Sequence, residues 1–544
     1  MHPALHIPEM VELVCSHVCP QDPDRPWPGS VRRRDLSALA RTSKIFQEPA
    51  LNALWAIQLT FANVLRCMPD DLWNRPPMER GVLSLDITRP ITPADWERPL
   101  FYMSRVKLLH CGIDSTPSAA LFAALSACLP TETFFPNLHR LELPSYHPPY
   151  LRALLTPYTT SLWFSIFSET DLAEIPTLVH RCGHLTSVQI SHLSPPQSYA
   201  QIRTSISLFV RGLTHIEKLQ IFSLDELAFE HLAGLTCLKS LIVDNPEDVN
   251  PFALSPSLSE MPVFSALRSV RLQTPSTEQA VAFIAALSNS PLAEASIAVI
   301  SSAAITAMPT LCSAIQEMWP TGSLRSLDIT IVPRINGAEP VVSASRLSSI
   351  KTSALQRLLC FRNLEIVRLH VDGGWDIDDE MVGQMARAWP NARILALRPI
   401  DAFNKFARRV SLAALRALSL HCPKLTSLDL DVNASFVPTL HVAPDNEDAH
   451  PQPQTALTIL WIGYAPISDP RAVADFLFAI FPALSLMQTN TSWTRADGEF
   501  AIASARWFAV QRMLAQKRLA SPVEDSDPSP SGVEDEDWFT LFSN

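Results

Sequence analysis

One pattern recurs along most of this chain and limits what it can fold into: an apolar residue, two variable residues, a second apolar residue, one variable residue and a third apolar residue. It occupies Val82/Leu85/Ile87, Met103/Val106/Leu108, Leu138/Leu141/Leu143, Leu185/Val188/Ile190, Ile216/Leu219/Ile221, Leu238/Leu241/Val243 and Leu267/Val270/Leu272. It continues at Leu292/Ala295/Ile297, Leu324/Leu327/Ile329, Leu364/Val367/Leu369, Ala392/Leu395/Leu397, Leu425/Leu428/Leu430 and Leu457/Leu460/Ile462. Successive starts lie mostly 22 to 40 residues apart, which leaves room for one short strand, a turn and one helix per unit. Because the last two apolar positions flank a variable one, a strand turns both to one side and the middle side chain to the other. A single unit leaves its apolar side uncovered, and stacking neighbours covers it. The pattern predicts an α/β solenoid, irregular in its repeat length, with parallel strands on one wall and helices on the other.

A second regularity marks where each helix stops. A proline preceded by an aromatic residue or cysteine falls just before the strand in FPNLHRLEL at 135, WPNARILAL at 389, CPKLTSLDL at 422 and FPALSLM at 481. Proline cannot continue a helix, and helical sequence precedes the sites at 389 and 422, over 379–389 and 412–421, and also lies at 278–287 before PLAEASI. With 544 residues and 47% apolar content, the chain is too long for one compact core and too apolar to stay unfolded, which agrees with an array. The uncharged stretches 295–316 and 476–494 are too rich in hydroxyls and too interrupted by Pro309 and Pro482 to read as membrane spans.

The first 60 residues read differently. Met10, Leu13, Val14, His17 and Val18 fall near helical spacing behind Pro8, and a loop rich in proline follows at 19–30. A second helical run has Asp35 as its expected cap, with Leu36, Leu39, Ala40 and Ser43 along one side. A third helical run reaches Leu51, Leu54 and Trp55. These segments, IPEMVELVCSHV and DLSALARTSKIFQEPALNALW, resemble an F-box, with Ile7-Pro8, Glu9, Val11, Val14, Asp35-Leu36, Leu39-Ala40, Ser43, Phe46 and Leu54-Trp55 in the family's slots. Phe46 stands where tryptophan is commoner, and the insertion between the first two helices is unusual for the family. The later repeats resemble the leucine-rich repeats that follow an F-box in the large families of mushroom-forming fungi. They are degenerate, since the asparagine that normally follows the strand is plain only at Asn433, the same slot holding Tyr146, Leu193, Pro246, Pro275 or Ile400 elsewhere.

The resemblance implies a substrate-recognition subunit of an SCF-type cullin-RING ubiquitin ligase. Leu5, Ile7, Pro8, Glu9, Val11, Val14, Leu36, Leu39, Leu54 and Trp55 would meet the Skp-type adaptor, which links the chain to the cullin. The repeats would hold a target protein, and the chain would supply no catalytic group. A repeat scaffold with a vestigial F-box is the alternative. The strand residues expected to face outward, in order, are Glu142, Gln189, Gln220, Ile242, Arg271, Ser296, Asp328, Arg368, Ala396, Asp429 and Trp461. Their mixture of acids, bases, amides and an aromatic suits a protein target better than a nucleic acid or a small molecule.

Other chemistry finds little support. Fourteen glycines form no phosphate loop, and neither G-x-S-x-G nor H-E-x-x-H occurs. No metal or cofactor is expected: Cys15, His17 and Cys19 lack a fourth ligand at suitable spacing, and Asp376, Asp378, Asp379 and Glu380 sit at a helix start where acids complement the dipole. His421-Cys422 are adjacent and so do not face one another on a helix. Ten scattered cysteines and the absence of a charged-then-apolar leader after Met1 predict a reducing setting, cytoplasmic or nuclear.

The net charge of -11 is concentrated in the last 24 residues, which carry seven acids and no base. The rest of the chain stands at -4, with one tight basic run, Arg32 to Arg34, at a helix start; nucleic acid and membrane are therefore not expected partners. The expected organisation is an F-box-like segment at 1–60, the solenoid at 61–490, an amphipathic helix at 491–520 and an acidic, disordered tail at 521–544. Limited proteolysis is expected to trim 521–544 and leave the body intact; a tail protected in the isolated protein would contradict this reading.

Overall fold

The computed structural model describes residues 7–18, 30–74, 85–112, 117–143, 148–166, 175–192, 199–245, 247, 249–254, 263–300, 304–332, 349–371, 374–397, 409–439, 453–463, 465–489 and 498–520. Leu5, Cys19 and the tail at 521–544 lie outside them. The chain divides into two compact units, Met1–Asp376 with Leu397–Phe406, and Ile377–Ala396 with Ala407–Asn544.

The first unit opens with three helices, α1 (Pro8–Val18), α2 (Ser30–Leu39) and α3 (Lys44–Ala56). Its strands follow as β1 (Ile57–Gln58), β2 (Leu108–His110), β3 (Arg140–Leu143), β4 (Ser161–Ile166), β5 (Ser187–His192), β6 (Lys218–Ile221), β7 (Ser240–Asp244) and β8 (Ser269–Thr274). Then come β9 (Glu294–Ile300), β10 (Ser326–Val332), β11 (Ile350–Lys351), β12 (Ile366–Val371) and β13 (Trp375–Asp376). From β1 to β10 each strand pairs in parallel with the next, and β12 pairs with β10; β11 and β13 form a separate small pair. In the second unit β14 (Ile394–Ala396), β15 (Ser427–Asp429), β16 (Ile459–Gly463) and β17 (Leu486–Thr489) pair in parallel in chain order. Each unit is a leucine-rich-repeat solenoid, strand stacked on strand with helical connections between.

The pairing register explains why the apolar pattern works. Leu109, Leu141, Leu162, Val188, Leu219, Leu241, Val270, Ala295, Leu327 and Val367 are successive partners across the sheet and form one buried row. Two residues further along, Ile221, Val243, Leu272, Ile297, Ile329 and Leu369 form a second. Leu395, Leu428, Leu460 and Met487 do the same in the second unit. Full burial of each such side chain is worth about 1.5–3 kcal/mol, and only a neighbouring repeat supplies the cover.

The aromatic-proline signal is a turn that leads into the next strand, directly behind a helix at Trp389, Cys422 and Phe481 and farther from one at Phe135, where the helix ends at Ala127. The carbonyls of Phe135, Trp389, Cys422 and Phe481 accept the amides of Leu138, Ala392, Leu425 and Leu484, three residues on. Proline at the second position of such a turn is favoured because its φ is already set. All four turn-leading side chains are buried.

Several expectations need correction. Of the triple at Val82/Leu85/Ile87, Val82 lies outside the described residues, and Ile87 makes an isolated antiparallel bridge to Trp73 instead of joining the parallel sheet; the nearby chain is held by Arg89, which grips Asp95 at 2.8 and 2.9 Å and Asp71 at 2.8 Å. The frame at Met103/Val106/Leu108 is also displaced, because Leu109, not Leu108, pairs with Leu141 in the buried row. Asp35 lies inside α2 and caps nothing, since that helix begins at Ser30; Ser43 does cap α3, accepting from the Ile45 amide at 3.4 Å.

Strands β1 and β4 were not anticipated, because polar residues occupy their key positions. Gln58 takes the inward place opposite Leu109, donating to the carbonyls of Leu54 and Trp55 and accepting from Asn63 at 2.9 Å. Before β4, Thr159 stands where the first leucine would be; its hydroxyl accepts from the Thr156 amide at 3.1 Å and donates to the Leu138 carbonyl at 3.3 Å. The asparagine ladder likewise survives one position early, at buried Asn245, whose amide donates to Gln279 at 2.9 Å and to the carbonyls of Glu247 and Val249 at 3.3 Å.

Among the described residues no helix is long and apolar enough to cross a membrane; the 295–316 stretch divides between β9 and a helix, Ala304–Met318, that contains Pro309. Thr159→Val keeps the shape but leaves a buried amide without its acceptor, so an unfolding free energy lowered by about 1–3 kcal/mol, seen as a lower midpoint, is expected in denaturant titration. An unchanged midpoint would mean that the hydroxyl is not holding this turn.

Candidate functional site

Two surfaces emerge from this packing, the outer row of the sheet and the outer face of α1. In the first unit His110, Glu142, Trp163, Gln189, Gln220, Ile242, Arg271, Ser296, Asp328 and Arg368 are successive register partners on β2 to β10 and β12, one residue per strand. Every outward residue expected from the sequence of this unit therefore falls in one unbroken row. His110 and Trp163 join it unanticipated, the first because the frame of β2 was displaced and the second because Thr159 hid β4. In the second unit Ala396, Asp429 and Trp461 are likewise successive partners.

Position in the row does not guarantee exposure. Glu142 is 3% exposed and Asp328 8%, so neither is the freely presented side chain that alternation alone suggests. Ala396 is also buried. Glu142 is clamped from both sides: His110 Nδ1 lies 2.9 Å from one carboxylate oxygen, and Arg140 Nε bonds the other. Burial alone would raise its pKa, but the bonds from His110 and Arg140 overcome that and hold it below the ordinary carboxylate value. Asp328 is raised instead, because burial outweighs the charges of Arg368 and Arg271 and the 3.2 Å bond from the Thr330 hydroxyl. Asp244, at the end of β7, is raised by burial against the pull of Arg271. Gln189, Gln220, Arg368, Asp429 and Trp461 are half-buried, and Arg271 is exposed.

At the N-terminus Val11, Cys15, Leu36 and Ala50 form the core of the three-helix cluster, with Leu39 and Leu54 packed against it. Val11 and Leu36 are fully buried, so the expectation that they present an adaptor surface is corrected: the cluster uses them to hold itself together. Ile7, Pro8, Glu9 and Val14 are exposed, and Met10 and Leu13 with them. Trp55 stacks on Tyr102 with centroids 4.5 Å apart, Arg105 pairs with Glu48 at 2.8 Å, and Arg33 donates to the Ile57 carbonyl at 3.1 Å. Together with the β1–β2 pairing, these contacts tie the cluster to the first repeats.

The candidate chemical groups are occupied by structure. Cys111, Cys312 and Cys422 are pushed up to about 12 and Cys182 to about 11, mainly by burial, so these thiols remain protonated at neutral pH. Cys15 packs in the helical core, and His17 Nδ1 faces the Leu13 carbonyl at 2.8 Å. Asp378 caps the helix Asp379–Ala388 through the Met381 amide and pairs with Arg409 at 3.1 Å, while Asp379 accepts from the amide and hydroxyl of Ser411, both at 2.6 Å. Among the described residues no group of three or more His, Cys, Asp or Glu is arranged to hold a metal ion.

No family model matches the sequence, and no curated protein matches it. Among solved structures the chain is similar to the complex of Rad7 and Elc1 in yeast, at 12% identity and a TM-score of 0.33, over 91% of this chain and 92% of that one. It is also similar to the leucine-rich repeat-containing protein LegL7 from Legionella pneumophila, at 14% identity and a TM-score of 0.23, over 56% of this chain and 98% of that one. These likenesses are distant, and the solenoid assignment rests on this chain's own strand register.

The depressed pKa of Glu142 sets a pH dependence. A carboxylate lowered on folding stabilises above its ordinary value of 4.5 and loses that contribution as pH falls through the folded value. The stability difference between the native chain and Glu142→Gln is therefore expected to be largest near neutral pH and to shrink below pH 4.5 in parallel denaturant melts. A difference independent of pH would show that the charge of Glu142 is not what the His110 and Arg140 bonds recognise.

Proposed function

We propose that this chain is the substrate-recognition subunit of an SCF-type ubiquitin ligase, its α1 face docking a Skp-type adaptor linked to a cullin and its sheet row holding the target. The observation that carries this reading is the outer side of α1 and the residue before it. Ile7 is 48% exposed, Met10 41%, Leu13 49% and Val14 38%, on a helix whose adjoining face is sealed by Val11 and Cys15. Positions 7, 10 and 14 follow helical spacing, and an apolar stripe left open in this way is a docking feature more than a solvated face. It lies within the segment that resembles an F-box, which supplies the identity of the proposed partner.

In this role the chain contributes no catalytic group. The conjugating enzyme brought by the complex performs the transfer, and the chain raises the effective concentration of a target lysine beside it. The mixed outer row suits a protein target, since it offers neither the uniform positive charge of a nucleic-acid surface nor a deep apolar pocket. A second reading, a repeat scaffold without ligase attachment, is favoured by the burial of Val11 and Leu36. On that reading the helices simply close the open apolar end of the array, as terminal units of solenoids do.

The two readings separate on one experiment. Met10→Asp with Leu13→Asp adds charge to the exposed stripe without touching the core, so the melting temperature is expected to hold while co-purification with a Skp-type adaptor drops by about tenfold or more. Undiminished adaptor binding by a folded double variant removes α1 as the docking face. Failure of the native chain to bind any such adaptor selects the scaffold.

A further inference from the structure

The outer row is nearly balanced in charge by count, but not by depth. On β8 to β12 the acid of the row, Asp328, is sunk into the sheet to 8% exposure, whereas Arg271 is exposed and Arg368 half-exposed; Asp244, two residues beyond the row on β7, is half-exposed as well. Both arginines couple electrostatically to Asp328, and Arg271 also to Asp244. Asp328 and Arg368 are also direct register partners, so the buried carboxylate lies beside the guanidinium on the next strand. Three more bases, Lys239, Arg268 and Arg325, follow at the starts of β7, β8 and β10, all exposed. Two of these are engaged, Lys239 with Glu217 and Arg325 with Glu365, each at 2.8 Å. Glu294, at the start of β9, is the exposed acid of that line, but within the row itself a partner laid across β8 to β12 meets Arg271 and Arg368 before the buried Asp328.

We infer that the target segment read by β7 to β12 is acidic and extended, with two carboxylate side chains four residues apart that engage Arg271 and Arg368. The spacing follows from the sheet. Arg271, Ser296, Asp328 and Arg368 are consecutive register partners, so three strand gaps separate the two arginines. At about 4.8 Å per gap the separation is roughly 14 Å, and an extended peptide advancing about 3.4 Å per residue covers that distance in four residues. Arginine presents a planar fork that donates paired bonds to a carboxylate, which gives the contact geometry as well as charge. Ser296, between them in the row, is small enough to let a backbone approach.

This inference rests on the reading of the row as the target-binding face, and its test keeps the two apart. The probe is an unstructured Gly/Ser peptide carrying a fluorophore and two glutamates four residues apart, titrated with the full chain. Controls carry two lysines at the same places or two adjacent glutamates. The spaced glutamate peptide is expected to bind most tightly and to weaken with added salt, and Arg271→Gln or Arg368→Gln is expected to reduce its affinity about tenfold each in variants whose thermal melts still show a cooperative folded state. Equal or tighter binding of the lysine peptide, equal binding of the adjacent-glutamate peptide, wild-type affinity in the double variant, or no measurable binding of the spaced peptide would each overturn it. Adaptor co-purification, measured on the same samples, reports separately on the ligase role. A chain that binds adaptor but not the peptide retains that role and loses this specificity; the converse result does the reverse.

Discussion

The structure depends on one constraint: no repeat can bury its own apolar side. Leu241 and Val243 are covered only because Leu219 and Ile221 lie on one side of them and Val270 and Leu272 on the other, in strict parallel register. A shift by one residue would turn every such pair outward. Burial therefore fixes the register, and the register aligns the residues between the apolar pairs into a row. The outer row is a by-product of the core, which is how a chain with little local sequence regularity still presents ordered chemistry along many strands.

That dependence also decides where polar residues are tolerated. Gln58, Thr159, Asn245 and Gln454 all sit in buried places, and each has hydrogen-bond partners there. Gln454, for example, donates to the Leu425 carbonyl and accepts from the Leu457 amide, both at 2.8 Å, within the second unit. Such residues replace a missing leucine or loop bond at the cost of local specificity: their partners must be in position, whereas a methyl group accepts almost any neighbour.

The legible part of the sequence was the part governed by this burial. The apolar triples from Leu138 onward locate strands because a strand in a solenoid has few other ways to satisfy them, and the aromatic-proline turn marks their starts. The illegible part lay wherever a hydrogen bond substituted for burial. Thr159 concealed β4 and with it Trp163, and Gln58 concealed β1. In β2 the run Val106-Lys107-Leu108-Leu109 offered two apolar frames, and only pairing with Leu141 selects between them. Depth was equally hidden: alternation places Glu142 and Asp328 outward, but not the His110, Arg140 and Thr330 bonds that keep them buried. At the N-terminus a motif slot could not reveal whether Val11 and Leu36 serve the cluster's core or its surface, because both roles call for the same aliphatic residues.

The helical cluster and the outer row then stand as two faces with different physics, an open apolar stripe on α1 and a polar row backed by sunken carboxylates on the sheet. Joining them in one chain is what the proposed receptor role requires, with one face for the adaptor and the other for the target. The most direct measurement is light scattering of the purified full chain mixed with a purified Skp-type adaptor. A single species containing one of each is expected; two species that elute and scatter as the separate proteins at micromolar concentration would contradict the receptor assignment and leave a repeat scaffold.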